Sequence, residues 1–538
     1  MPATASAAPQ RRVGRPRAWQ LAALLLCVPT LVPLGAALWS WTAVDTALLE
    51  HLRSYVLPAA VANTAVLLVL VLVGVLVVGV VSAGLVALTD FPGRALFSFL
   101  LLLPLALPGY VVAIAFLGLL DQGGGFLPGL PAWMPEVRNR YGLSMVLTAS
   151  LYPYVFLITR EAFQSQGLRA IEAARSVGLR PRQAFVKVAL PMALPWIAAG
   201  ASLALMEVLA DFGTVAAFNH DTLSVAIYKA WYGLFSPQSA LQIASLMLVF
   251  VVLLLTLESQ ARRRMRFTAM GVGSVRRLPL SRRGRWLATA WCTAVFLLAF
   301  GLPVSWLLWA GLQHLDLIDA RFIEWAKNSA LLALMGAALV VAAATFLATS
   351  VHFAPSPALR AAQRIATLGY AFPGALLAVG IYVPLSQASQ SIGGGLAASL
   401  AGGGVALLLA GYAVRFLAVA HAPVASSTMR LSPSILDSAR LSGMPQRRIL
   451  GAVYWPMLRR SMAVGALLVF VDIMKEMPIT LMMRPFGWDT LATRVFEYTS
   501  EGQWEQAAVP ALLLIAVGTI PVWLLQRQTG QKNDTPHA

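Results

Sequence analysis

Charge is what this 538-residue sequence has least of. Asp, Glu, Lys and Arg make up 12% of it against 59% hydrophobic residues, and its mean hydropathy is +0.74. A soluble protein of this length needs far more charge to cover its surface, which excludes that class. Cysteine is nearly absent: Cys27 and Cys292 both lie in apolar runs, so neither a disulfide framework nor a thiolate metal site follows. The six histidines (His51, His220, His314, His352, His421, His537) are scattered, with no pair at haem- or metal-ligand spacing and no HExxH or GxSxG. A membrane-embedded oxidase or protease is thereby set aside, and no metal site is assigned. Lysine occurs five times, at Lys187, Lys229, Lys327, Lys475 and Lys532, and none follows a glycine-rich turn. A P-loop needs that turn so that backbone amides and the Lys can hold phosphates, so this chain has no ATP site of its own. The glycine runs at 123–125 and 402–404 lack a strand-to-helix context and read as turns.

Long apolar runs are what the sequence does have. About 20 apolar residues cross the hydrocarbon core of a bilayer as a helix. Twelve such spans are expected, near 19–42, 59–88, 94–120, 141–163, 193–217, 239–259, 286–312, 328–350, 365–386, 397–420, 461–483 and 507–526. The first run is too long for a signal-peptide core and reads as a retained span. The formal charge of +18 is concentrated: nine arginines lie between 261 and 286 with no acid among them, and four more at Arg11, Arg12, Arg15 and Arg17. Basic stretches that alternate with spans follow the positive-inside rule, not the pattern of nucleic-acid binding. The expected fold is an all-α polytopic membrane protein with both termini cytoplasmic. Its parts are a tail (1–18), a first half (19–260), a basic linker (261–285), a second half (286–527) and a short tail (528–538).

The halves repeat each other at an offset of 265 residues. Asn63 matches Asn328, Pro108–Gly109 matches Pro373–Gly374, and Gly200 matches Gly465. Matches of Asn, Gly, Pro and Arg at one offset carry weight in so apolar a chain. Six spans per half is an even number, so the halves enter the membrane in the same sense, as parallel repeats.

The most polar part of the repeat is "EAARSVGLRPRQAFVKVALP" at 172–191, echoed by "DSARLSGMPQRRILGAVYWP" at 437–456. Each reads as two short helices with Gly178 or Gly443 as the stop and Pro181 or Pro445 opening the second. Pro191 and Pro456 are expected to end the amphipathic stretch before the next span. A single copy would read as a juxtamembrane helix with arginines at lipid phosphates. Two copies on the cytoplasmic face read as a paired docking surface for a partner that is itself twofold.

These residues resemble the EAA loop of membrane subunits of binding-protein-dependent ABC importers. The resemblance covers Glu172, Ala173, Ala174, Gly178, Arg182 and Pro191, and in the second copy Asp437, Ala439, Gly443, Arg447 and Pro456. Asp437-Ser438-Ala439 stands there in place of Glu-Ala-Ala, and Trp455-Pro456 in place of Leu-Pro. It implies two fused permease halves in a bacterial inner membrane, docked on two copies of a separate ATPase that binds ATP and magnesium, and served by a soluble binding protein at outer loops such as 484–505.

Inside the spans lie Glu207 and Asp211, matched by Asp472 and Glu476, with Lys475 the one base nearby. Spacing i, i+4 would stack each pair on one helix face. Carboxylates at membrane depth mark a functional path by default, and here they suggest a polar, mostly negative route between the halves. The structural alternative is pairing with Lys475, Arg484 or serines. "ADFGTV" at 210–215 and the stretch 475–498 resemble fused permeases of ferric-iron importers, which implies ferric iron as cargo. Thiamine, polyamine or phosphonate import on the same architecture stays open, as do an ion-coupled carrier and a non-transporting scaffold.

Overall fold

The computed structural model describes residues 18–42, 50–120, 136–264, 277–353, 356–392, 404–431, 438 and 441–530. Among them the chain is helical apart from one short parallel pairing, Thr89–Asp90 with Leu278–Pro279. Eight helices are long and apolar enough to cross a bilayer, or ten if each of two bent helix pairs is one span. The expected twelve are therefore not reached on length and apolarity. The other two expected spans fall on Trp455–Lys475, which carries Arg459, Arg460, Asp472 and Lys475, and on Ala508–Gly530, whose apolar part is only Ala508–Trp523.

Helix faces show why these elements belong in lipid. Along Leu57–Leu88, Val66, Val69, Val73, Val77 and Val81 are exposed at helical spacing, while Leu67, Val71, Val75 and Ser82 are buried. A helix apolar on both its outer and inner faces belongs in a membrane. Gly200 and Gly465 let neighbouring helices close up. A Cβ on Gly200 would stand 3.0 Å from Val155 Cα, and one on Gly465 would stand 3.3 Å from Ala420 Cα. Small residues at such crossings are how membrane helices approach one another.

Both repeat-related Pro-Gly pairs bend a span. Arg94–Ala106 meets Gly109–Leu120 at 93°, and Pro357–Ala371 meets Gly374–Gln387 at 116°. Leu107 and Phe372, each preceding a proline, are extended with ψ of 123° and 130°. The proline ring disfavours helical geometry in the residue before it, so the break falls there.

Two expectations need correction. Pro191 and Pro456 do not end a helix. Pro181–Ala210 is one continuous helical run, with a π-type turn at Phe185–Ala189 just before Leu190 and Pro191. Leu450–Tyr454 does the same ahead of Trp455 and Pro456. A proline lacks the N–H of the ordinary ladder, and the wider turn accommodates that gap. The expected span 193–217 stops at Ala210, and 461–483 stops at Lys475. At the edges of the expected linker, the preceding helix runs to Arg264 and Ser281 caps a helix beginning at Arg282. The first 17 residues, 265–276 and 531–538 lie outside the described residues.

The repeat is visible in hydrogen bonds. Asn63 Nδ2 donates to Asp221 O at 2.8 Å, and Asn328 Nδ2 donates to Gly487 O and Asp489 O at 3.2 Å each. Thr64 Oγ1 accepts from Leu223 N–H and Ser329 Oγ from Leu491 N–H, at 3.1 and 2.8 Å. Thr222 and Thr490, which begin equivalent short helices, are 268 residues apart (490 − 222). The second half therefore carries three extra residues between Glu476 and Thr490, since 268 exceeds 265 by three.

Candidate functional site

The first of the two echoing segments begins within a nine-residue helix, Leu168–Ser176. Ile171 and Ala174 are buried beneath it, while Glu172, Ala173 and Arg175 face outward. Gly178 follows with φ of +89°, the left-handed conformation that lets the chain reverse, and Leu179 N–H returns to Ala174 O at 3.1 Å. Arg182 and Pro181 are exposed at the start of the next helix. In the second copy Gly443 has φ of +72°, and Pro456 lies in the first turn of Trp455–Lys475. Asp437 and Ala439 lie outside the described residues, and Arg447 is placed only as a residue of the helix Gln446–Ile449. Val177 and Leu441 are 77% and 89% exposed, an apolar side chain on each segment.

The intramembrane acids meet in one cavity of about 190 Å³ between the halves, which Glu207, Asp211, Asp472, Lys475 and Glu476 all line. Their roles differ. Asp211 is not stacked on Glu207 along a continuing helix: it ends that helix with ψ of 121° and caps the next one. Its Oδ1 accepts from Thr214 N–H at 2.8 Å and its Oδ2 from Thr214 Oγ1 at 2.7 Å. Glu476 does the same in the second half, accepting from Ile479 N–H, Thr480 N–H and Thr480 Oγ1 at 3.0 Å each. Buried amides at a helix start need such acceptors, so these two carboxylates hold the chain breaks together. The glycines at the bends follow from this. A Cβ on Gly109 would lie 2.8 Å from Asp211 Oδ2, and one on Gly374 would lie 2.9 Å from Glu476 Oε1.

Glu207 and Asp472 are left facing the seam. Glu207 Oε1 accepts from Tyr370 Oη, across the halves, at 2.9 Å. Asp472 Oδ1 stands 3.9 Å from Lys475 Nζ, a loose pair. Tyr110 of the first half donates to Lys475 O at 3.3 Å. Lys475 is not the one base nearby: Arg415 also lines the cavity and donates to Phe372 O at 3.0 Å, holding the second bend. Arg484 takes no part, and pairs with Asp489 and Glu497 instead. Arg415 was hidden from the repeat because its counterpart is Ser150, just as Tyr370 answers to Leu105 and Lys475 to Ala210. A lone arginine between 405 and 424, in an apolar run, was the available signal. Among the described residues no group of three or more His, Cys, Asp or Glu is placed to hold a metal ion.

A cavity between repeat-related halves, lined by acids and bounded by broken helices, is an arrangement that membrane transporters use. Residues 75–266 match the family described as binding-protein-dependent transport system inner membrane component. The relatives the chain resembles are named as permease proteins of transport systems. The Fe(3+)-transport system permease protein of Haemophilus influenzae is 24% identical over 523 residues, covering 95% of this chain and 99% of that protein. The sulfate transport system permease protein of Escherichia coli is 30% identical over 32% of this chain and 66% of its own length. A probable molybdenum ABC transporter permease protein of Haloferax volcanii is 27% identical over 40% of this chain and 81% of its own.

Proposed function

We propose that this chain is the membrane subunit of an ATP-driven ferric-iron importer. The observation that carries the cargo is a relative named for Fe(3+) transport whose similarity runs through both halves, where the sulfate and molybdenum permeases match less than half of this chain. The chemistry is compatible, since iron(III) is a hard cation and the cavity offers carboxylates from both halves. The segments at 172–191 and 437–456 dock two copies of a cytoplasmic ATPase. Glu172, Ala173, Ala174, Gly178, Arg182 and Pro191 serve one copy, and Asp437, Ala439, Gly443, Arg447 and Pro456 the other. A soluble binding protein delivers iron to the opposite face. Closure of the ATPase pair draws the docking helices together and opens the cavity outward, and hydrolysis returns it. The chain lies in the inner membrane with both termini cytoplasmic.

The test is uptake of radioiron into cells carrying or lacking this chain, with ATP present or depleted and with thiamine, sulfate or molybdate as competitor. ATP-dependent iron uptake that requires the chain and ignores the competitors is expected. Uptake of a competitor in place of iron would move the cargo and leave the importer architecture standing.

A further inference from the structure

The three residues that the second half has gained sit in a built turn. Arg484 ends the helix Pro478–Met483, Asp489 precedes the capping residue Thr490, and Arg494 and Glu497 lie on the helix Leu491–Ser500. These four charges close a ring. Arg484 pairs with Asp489 at 2.7 Å and with Glu497 at 2.6 Å, and Arg494 pairs with Glu497 at 2.7 Å and also with Asp489. Arg494 is further seated on the Trp325 ring, 4.5 Å from its centroid. Between the staked ends, Gly487 has φ of +79°, Trp488 N–H returns to Pro485 O at 3.2 Å, and Asn328 holds the Gly487 carbonyl. The side chain lifted clear by this frame is Phe486, which is fully exposed.

The first half has no counterpart of this charge-framed turn, although Phe235 there is also 83% exposed with φ of +49°. Its shorter segment carries one exposed ion pair, Lys229 with Asp221 at 2.6 Å. A rigid turn that displays a bare aromatic ring has already lost the freedom that binding would otherwise remove, and aromatic anchors dominate protein interfaces. The ring of charges at its base sets Phe486 beside polar groups, unlike the apolar faces of the long helices. The turn also follows the opposite end of the helix Trp455–Lys475 from the docking segment that leads into it.

We infer that Phe486 is the anchor by which the soluble binding protein is fixed in one orientation on this permease. The inference rests on the import reading above. A single-copy partner has no twofold axis, whereas two parallel halves offer it two nearly equivalent ways to sit. The charge-framed turn is present on one half alone and decides between them, with Phe486 entering an apolar pocket on one lobe of the partner.

The experiment uses the full chain assembled with its ATPase subunits in nanodiscs, titrated with the iron-loaded binding protein while ATP hydrolysis is followed. Phe486→Ala removes no internal contact. It should raise the concentration for half-maximal stimulation by about tenfold or more, with basal and saturated rates unchanged, and Phe486→Trp should restore it. A Phe486→Ala titration that overlays the wild type overturns the anchor and leaves the import reading intact. No stimulation of the wild type overturns the import reading, and the anchor with it. An environment-sensitive fluorophore on Phe486→Cys should shift to the blue when the binding protein is added. A blue shift already present in the nanodisc alone would make lipid the occupant and overturn the proposal.

Discussion

Four acids at repeat-related positions do two different jobs, and the difference lies in what already holds each one. Asp211 and Glu476 have their oxygens taken up by the amides and hydroxyls that begin the following helices. Glu207 and Asp472 have one tyrosine hydroxyl and one distant ammonium between them. Removing a cap such as Asp211→Ala should therefore lower thermal stability, by about 1 kcal/mol or somewhat more, while Asp211→Asn keeps an acceptor and stays close to the wild type. Glu207→Gln and Asp472→Asn should do the reverse, cutting iron uptake by about tenfold while the melting temperature in detergent hardly moves. Equal loss of uptake from all four changes would show that capping and lining cannot be separated. The acids themselves were legible in the sequence because they echo at 265. The caps were not, since i, i+4 spacing is equally that of an unbroken helix. Thr214 three residues after Asp211, and Pro478 opening the helix Pro478–Met483, were the signals of a chain break at those points.

At the scale of elements, glycine and proline decide where helices stop. The docking segments turn at Gly178 and Gly443, both left-handed and both open to solvent, so a larger residue there clashes with nothing but strains the backbone. Replacing both with Val should cost about 1–2 kcal/mol per site in the turn conformation and misalign the helix ahead of it. Uptake should then fall while the amount of protein in the membrane is unchanged, and stimulation of the ATPase should fall with it. Undiminished uptake in the double variant removes the docking assignment. Bent spans give a second case. At Gly109 and Gly374 a Cβ meets a capping carboxylate, so Gly109→Val or Gly374→Val should displace that carboxylate and open the bend. Loss of transport with normal membrane insertion is the expected result, and full activity would mean that the bend tolerates rearrangement. Helix starts and the Pro-Gly breaks were readable from local chemistry. The continuous run through Pro191 was not, because a π-type turn leaves no mark in a hydropathy pattern.

For the whole molecule, repetition made the architecture readable and concealed what the halves do not share. A search for matches at one offset finds Asn63 and Asn328 but passes over Arg415, Tyr370, Lys475 and the longer turn around Phe486, each of which belongs to one half. Symmetry supplies the motion in the proposed cycle: two parallel halves rock about a common axis, and each docking helix moves with its own half. Val177 and Leu441 are suitable places to watch this, being largely exposed and free of packing that a label would disturb. The two native cysteines, Cys27 and the buried Cys292, would first be replaced by Ala. Spin labels on Val177→Cys and Leu441→Cys, in the complex with the ATPase, should then report a shorter distance when a non-hydrolysable ATP analogue is bound than in the nucleotide-free state. The distance should lengthen again after hydrolysis. A distribution that does not change with nucleotide would mean that the docking helices do not carry the stroke, and coupling would have to run through some other contact between ATPase and permease.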